Sequence, residues 1–100
     1  MEAYESANVY ERIIHYDEVK GHQVRLTLNE FRGVEYLHLR KYYQDFDEEW
    51  KPSNEGIAMP IDLANSRELF SGLVEILSLA EGRSVIEEHF SDLIREMYVN

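Results

Sequence analysis

The chain has 100 residues, of which 44% are apolar, so its length and composition predict a single folded domain, residues 1–100, with no room for a second core. The absence of cysteine excludes disulfides and thiolate chemistry, and no apolar run approaches the about 20 residues that a membrane-spanning helix needs. The net charge of −10 disfavours a nucleic-acid partner unless the basic residues are clustered on one surface.

The first half of the chain predicts three β-strands. Residues 9–16 are rich in aromatic and β-branched side chains, and residues 23–30 show a clear alternation between apolar and polar side chains. A third strand is predicted over residues 34–43, after a tight turn in which Gly33 tolerates a positive φ. Two alternating runs joined by such a turn are typical of an antiparallel hairpin.

The third strand combines a leucine face with a face of unusual chemistry. Its period of two places Tyr36, His38, Arg40 and Tyr42 on the side opposite the leucines. Aromatic rings can stack on unpaired bases, and guanidinium groups can hold phosphates. We expect this face to be solvated, with His38 as an ordinary exposed histidine.

The second half begins with loops and ends with helices. Residues 45–49 predict an acidic loop, residues 51–54 a second turn, and residues 56–59 a short fourth strand. Asn65 and Ser84 each precede a glutamate by three residues, a capping-box pattern that predicts the starts of two amphipathic helices. Gly82 would end the first helix, and the second would extend to residue 98. The predicted fold class is α+β: a four-stranded antiparallel sheet followed by one or two carboxy-terminal helices, β-β-β-β-α(-α), with the helices on one face of the sheet.

The charges are unevenly distributed along the chain. Residues 20–43 carry five basic and two acidic side chains, a net +3, whereas residues 1–19 carry −4 and residues 44–100 carry −9. The strand-rich segment is therefore basic and the helical remainder acidic, so one surface can attract phosphate although the whole chain repels it.

Several fragments at unbroken spacing resemble the transcriptional positive cofactor four (coactivator p15) family. They are Phe31-Arg32-Gly33, the strand 36–43, Lys51-Pro52 and Gly56-Ile57. The resemblance covers roughly residues 22–80, and an additional helix at 83–98 extends past it. It implies a homodimer with a curved sheet that binds single-stranded or melted DNA with little sequence preference in transcription, replication or repair.

The predicted nucleic-acid-binding residues come partly from this resemblance and partly from the strand pattern. The family pattern matches Phe31, Arg32, Arg40, Tyr43 and Lys51 as binding residues and Gly33, Pro52 and Gly56 as turn residues. The basic segment and the strand face add Arg25, Tyr36 and Lys41. The sequence departs from the family at Val34 and Glu55, which stand where basic residues occur, and this should weaken the attraction for phosphate and flatten its salt dependence.

Structural interpretations compete with several of these assignments. The basic residues can instead pair with Glu30 and Glu35, the tyrosines can pack against cross-strand neighbours, and Trp50 can close the edge of the core. The segment 87–92 contains acids and one histidine but lacks the spacing of a zinc helix, so a charged helix surface is expected there.

The sequence therefore predicts a non-enzymatic homodimer that binds single-stranded DNA, or RNA as a weaker option, and needs no metal or cofactor. The alternative is a protein–protein adaptor that docks its acidic helices on a basic partner of the transcription or replication machinery. Because residues 1–6 lack the basic and apolar regions of a signal peptide, we expect an intracellular location, in a nucleus or in a bacterial or virus-infected cytoplasm.

Overall fold

The computed structural model describes residues 8–98, which form four β-strands followed by two helices. The elements are β1 (Tyr10–Asp17), β2 (His22–Phe31), β3 (Val34–Gln44), β4 (Trp50–Pro60), α1 (Leu63–Leu77) and α2 (Arg83–Met97). The strands make one antiparallel sheet in the order β1-β2-β3-β4. This confirms the predicted α+β class and element order. The segment used for the signal-peptide prediction lies outside the described residues.

The chain divides between Ile61 and Asp62 into a sheet unit and a helical unit. Neither helix of residues 8–98 has the length and apolar character that would let it cross a membrane. The prediction of one domain stays a prediction.

The β2–β3 hairpin closes through a two-residue turn. Phe31 pairs with Val34, and the two residues between them, Arg32 and Gly33, have φ angles of 54° and 80°. Positive φ at both central positions defines a type I′ turn, whose twist matches that of the flanking strands. Space around Gly33 is open, so the backbone conformation alone accounts for glycine at this position.

The β3–β4 pairing contains a bulge of three residues opposite one where the sequence predicted a turn. Tyr42 pairs with Pro52 and Arg40 with Gly56, so Lys41 alone faces residues 53–55. The predicted turn over residues 51–54 was wrong, because β4 already starts at Trp50 and continues through this bulge. Proline is tolerated here because β4 lies at the edge of the sheet, where a missing N–H costs little.

Gly56 is required by a close approach of the backbone and not by a turn. A Cβ atom at this position would lie 2.8 Å from the carbonyl oxygen of Leu39 and 2.9 Å from the Cα of Arg40. The assignment of Gly56 and Pro52 to turns is therefore corrected: both belong to β4, and Gly56 lets β4 approach β3 beside the bulge.

The register separates the side chains of β2 and β3 onto two faces. We call one the arginine face; its members are Gln23, Arg25, Thr27, Asn29, Tyr36, His38, Arg40 and Tyr42. The other, the leucine face, consists of Val24, Leu26, Leu28, Leu37 and Leu39, with Ile57 and Met59 of β4.

Burial on the two faces is the reverse of the sequence expectation. On the arginine face, His38 is 2% exposed and Arg40 5%, whereas Leu39 on the leucine face is 39% exposed and Ile57 58%. The prediction of a solvated polar face, and of a solvated His38, was wrong. Alternation along a strand assigns side chains to faces, but it does not say which face is covered.

The helix starts also differ from the predicted caps. The α1 cap is Asp62, whose carboxylate accepts a hydrogen bond from the backbone N–H of Asn65 at 2.7 Å. The prediction that Gly82 ends the first helix was wrong, because α1 ends at Leu77 and Gly82 is the N-cap of α2. This cap has no side-chain hydrogen bond, and Ser84 lies inside the helix. Asp62 was missed because the Asn65 pattern three residues later resembles a cap equally well.

The helical unit contains an apolar groove of about 480 Å³. Its lining comes from both helices and includes Phe70, Val74, Phe90 and Ile94. Neither α1 nor α2 has a buried residue over its described length, and Ile94 is 60% exposed. The predicted apolar stripes are therefore present, but their side chains remain exposed to solvent.

Candidate nucleic-acid interface

Two arginines lie directly opposite each other on the arginine face. Arg25 of β2 and Arg40 of β3 are register partners, so their side chains leave the sheet side by side. Like charges in such positions repel and destabilise a sheet unless anions or other partners compensate. A surface that holds two guanidinium groups together is therefore either neutralised from within or suited to an anionic ligand.

Arg25 is held between a carboxylate and aromatic rings. Its Nη1 lies 2.6 Å from Glu11 Oε2, and its Nε donates to Gln23 Oε1 at 2.8 Å. Its guanidinium carbon lies 4.3 Å from the centroid of the Tyr42 ring and 5.9 Å from that of Trp50. These contacts are within cation–π range and fix the guanidinium over the face.

Arg40 and His38 form the buried floor of this face. Arg40 Nη1 donates to the carbonyl oxygen of Ser53 in the bulge at 3.0 Å, and His38 Nε2 lies 3.1 Å from Asn29 Oδ1. Burial lowers the pKa of His38, and the positive charge of Arg40 lowers it further. His38 is therefore neutral at physiological pH and acts as a hydrogen-bonding group, not as a cation.

A cleft of about 30 Å³ opens over this floor. Arg40 and Tyr42 line it together with Thr27, Asn8 and Pro52. Space of this size holds about two water molecules or one small polar group. The arginine face thus offers buried polar atoms at one narrow opening instead of a broad solvated surface.

Three of the predicted residues lie on the leucine side of the sheet. Tyr43 pairs with Lys51 and is 40% exposed. Lys41 follows Arg40 in β3 and therefore lies on the opposite side of the sheet. The Nζ of Lys51 lies 3.2 Å from Asp45 Oδ2, and the Nζ of Lys41 lies 3.1 Å from Glu55 Oε1. The basic residues thus do pair with acids, as the structural interpretation held, but not with the predicted Glu30 and Glu35.

Phe31 and Arg32 form a third group at the tip of the β2–β3 hairpin. The Arg32 guanidinium carbon lies 5.0 Å from the centroid of the Phe31 ring, and Arg32 is exposed. The type I′ turn positions both residues at the end of the sheet. An aromatic ring beside an exposed guanidinium can contact a base and its phosphate together.

The predicted binding residues therefore do not form one surface. Arg25, Tyr36 and Arg40 belong to the arginine face, Lys41, Tyr43 and Lys51 to the opposite side, and Phe31 and Arg32 to the hairpin tip. Tyr36 is half-buried between its partners Asn29 and Pro60.

Sequence reasoning missed two residues that contribute to the arginine face. Glu11 neutralises Arg25, and the Tyr16 ring contacts Trp50 edge-on with 6.0 Å between centroids. A register shift between Ile13 and His15 in β1 brings both Glu11 and Tyr16 to the arginine side. The order of apolar and polar residues within one strand does not show where a bulge will form. The sequence of β1 therefore gave no sign that Glu11 and Tyr16 lie on the same side.

The fold is that of the coactivator p15 class of small sheet-and-helix proteins. Residues 19–66 match the family model described as Transcriptional Coactivator p15 (PC4). A solved structure of the bacteriophage T5 homologue of the eukaryotic transcription coactivator PC4, implicated in recombination-dependent DNA replication, is 34% identical with a TM-score of 0.65. The match covers 85% of this chain and 97% of that one. The chain belongs to the Transcriptional Coactivator p15 (PC4) family, which confirms the resemblance.

A crystal structure of a PC4 homologue from Burkholderia pseudomallei is 23% identical, with a TM-score of 0.48, over 78% of this chain and 99% of that one. The comparison with curated proteins gives no match.

Proposed function

We propose that this protein binds single-stranded or melted DNA with little sequence preference, as a homodimer and without catalytic activity of its own. Its process would be transcription or DNA replication and recombination, and its location intracellular. Membership of the PC4 family supports this proposal. So does the 34% identity to the bacteriophage T5 homologue, which is implicated in recombination-dependent DNA replication.

The exposed Arg32 beside the Phe31 ring at the tip of the β2–β3 hairpin is the single observation that carries the proposal. The Arg32 guanidinium carbon lies 5.0 Å from the centroid of the Phe31 ring, so the hairpin tip of each subunit combines positive charge with aromatic surface. Phosphates of a flexible single strand can follow such charges, while unpaired bases stack on rings at about 1–3 kcal/mol each. Duplex DNA keeps its base faces stacked inside, so the proposal includes a preference for open strands.

The exposed hairpin tip is the part of the proposed interface that can be tested with least effect on the fold. Arg32→Ala should weaken binding to oligothymidine severalfold and reduce the salt slope by about 0.7 for the lost phosphate contact. The matched control is Lys20→Ala, which removes an equal charge from another exposed turn outside the proposed site. Lys20→Ala should change the affinity and the salt slope less than Arg32→Ala does.

Gel shifts with single-stranded DNA, duplex and RNA at several salt concentrations measure these differences. Emission of Trp50, the only tryptophan, gives an independent signal beside Arg25 and should be quenched by oligothymidine and restored by salt. Absence of single-strand binding at low salt in both measurements would overturn the proposal. Tighter binding of RNA than of DNA would reassign the ligand.

A second candidate function is supported by the ion pairs. Carboxylates neutralise three of the proposed phosphate-binding cations, Arg25, Lys41 and Lys51, and the chain as a whole is strongly acidic. An adaptor that offers acidic helices to a basic protein would have the same features with little affinity for DNA. The low-salt gel shift separates the two functions, because the adaptor would leave single-stranded DNA free.

A further inference from the structure

Lys41 of β3 and Lys51 of β4 each form an ion pair with an acid whose position is fixed by local hydrogen bonds. Asp45 precedes the loop between the strands, and its Oδ1 accepts hydrogen bonds from the backbone N–H groups of Asp47 at 2.9 Å and Glu49 at 3.0 Å. Its second oxygen, Oδ2, is thereby directed at the Lys51 ammonium 3.2 Å away. One oxygen of the carboxylate therefore stabilises the loop, and the other forms the ion pair with the lysine.

The bulge of β4 positions the second acid. Glu55 lies two residues after Ser53, whose hydroxyl donates to the carbonyl of Lys41 at 2.7 Å and accepts from the Glu55 N–H at 3.0 Å. This geometry brings Glu55 Oε1 to 3.1 Å from the Lys41 ammonium. Regular antiparallel pairing would place one β4 residue opposite Lys41, whereas the bulge places three residues there, and Glu55 is one of them.

Both pairs have the chemistry of a lysine–phosphate contact but remain open to solvent. A carboxylate oxygen at about 3 Å from an ammonium uses the same charge-assisted hydrogen bond that a phosphate oxygen would use. The side chains of Lys51 and Glu55 are 50% and 70% exposed, and those of their partners Asp45 and Lys41 are 20% and 36% exposed. Exposed pairs of this kind are weak, so an incoming polyanion can displace them.

We propose that Asp45 and Glu55 are internal counter-ions, which a DNA phosphate must displace from Lys51 and Lys41 before these lysines can bind it. The inference rests on the proposed function and refines it, because it names the residues that set the affinity and its salt dependence. A lysine already neutralised by the protein exchanges one anion for another when DNA arrives. The freed carboxylate then attracts a cation from solution and offsets the cation that the phosphate releases.

Two consequences follow for binding. The number of lysine–phosphate contacts predicts a certain slope of log affinity against log salt. The wild-type slope should be shallower than this value, because each contact releases fewer cations in net terms. Asp45 also raises the pKa of Lys51 by accepting its hydrogen bond, and the backbone N–H of Glu49 lowers the pKa of Asp45. Both partners therefore remain charged at neutral pH, where the competition operates.

The test uses the full chain with Asp45→Asn and Glu55→Gln, each of which removes the charge and keeps the size of the side chain. Asparagine retains Oδ1 for the two loop hydrogen bonds, so the loop should keep its shape. The matched control is Glu48→Gln, which removes a charge from the same loop where no ion pair is formed with the described residues. Circular dichroism checks that all variants are folded.

Oligothymidine affinity is measured by gel shift over a range of salt concentrations. Each of the two variants should bind about two- to fivefold more tightly at low salt, as the loss of an exposed ion pair allows. Each slope of log affinity against log salt should become steeper by up to about 0.7. Glu48→Gln should leave the slope unchanged and raise the affinity less than twofold, since it changes only the long-range charge.

The outcomes separate this inference from the proposed function. If the wild type binds and the two variants behave like Glu48→Gln, the inference is wrong and the proposed function stands. If the variants bind and the wild type does not, the counter-ion role is supported and the proposed function of the wild type is contradicted. If none of the proteins binds single-stranded DNA at low salt, both are overturned.

Discussion

Arg40 shows how a cation can be part of both the fold and the candidate site. Arg40 is 5% exposed, and its guanidinium donates to the Ser53 carbonyl, which belongs to the bulge of the neighbouring strand. This hydrogen bond crosses from β3 to β4 beside the position where Gly56 allows close approach. Removal of the side chain would leave the half-buried Ser53 carbonyl with one partner fewer and an unfilled space below the cleft.

We therefore expect Arg40→Ala to lower the free energy of unfolding by about 1–3 kcal/mol, the range for losing a buried hydrogen-bonding partner. Because Arg40 is buried, this loss of stability would accompany any effect of the substitution on DNA binding. Urea unfolding followed by circular dichroism measures the loss. Lys20→Ala, in an exposed turn, is the control and should remain within about 0.5 kcal/mol of the wild type. Equal stability of the two variants would contradict a structural role for Arg40.

The β4 strand depends on a glycine whose requirement is steric. A methyl group on Gly56 would be 2.8 Å from the Leu39 carbonyl oxygen, so either β4 moves away or the bulge changes shape. We expect Gly56→Ala to destabilise the protein by about 1–3 kcal/mol, as overpacking against backbone atoms does. Thermal unfolding with and without the substitution measures this cost.

Gly72 in α1 provides a matched control, because a methyl group at this position would have no neighbour within 4 Å and its φ is not positive. Gly72→Ala should stabilise the protein by about 0.5–1 kcal/mol, since alanine loses less entropy in a helix interior. A destabilising Gly72→Ala, or a harmless Gly56→Ala, would contradict the steric explanation.

At the level of elements, the sequence predicted what depends on local pattern. Alternation and the turn at Gly33 gave β2, β3 and their hairpin within a residue or two, because a two-residue turn fixes the register. The start of β4 at Trp50 was not predictable in the same way. Pro52 and Asn54 favour turns locally, and only pairing with β3 turns this segment into a bulged edge strand.

The candidate site was less predictable than the fold for a similar reason. Alternation placed Arg40 and Tyr42 on one face correctly, but it could not report that neighbouring side chains bury them. The carboxylates that neutralise Arg25 and Lys41 come from β1 and from the β4 bulge, so they depend on cross-strand pairing at two irregularities. Sequence reasoning therefore found the cations and missed the anions.

At the scale of the whole molecule, both units expose apolar surface. In the sheet unit Ile57 is 58% exposed, and in the helical unit the groove is lined by side chains such as Phe70 and Ile94, which are 62% and 60% exposed. A small protein seldom leaves this much apolar surface in water unless another molecule covers it. A second copy of the chain is the partner that the proposed homodimer provides.

Ile94→Asp tests whether the helical groove takes part in that homodimer. A carboxylate placed among the groove's apolar side chains would be buried on association, and we expect it to weaken the dimer by at least about 2 kcal/mol, roughly thirtyfold in dissociation constant. Sedimentation velocity at micromolar concentration should give a dimer for the wild type and mostly monomer for the variant. Val19→Asp is the control, because Val19 is 97% exposed in the β1–β2 turn and its substitution should leave the dimer intact. A monomeric wild type would rule out the homodimer, and a dimer that survives Ile94→Asp unchanged would place its interface outside this groove.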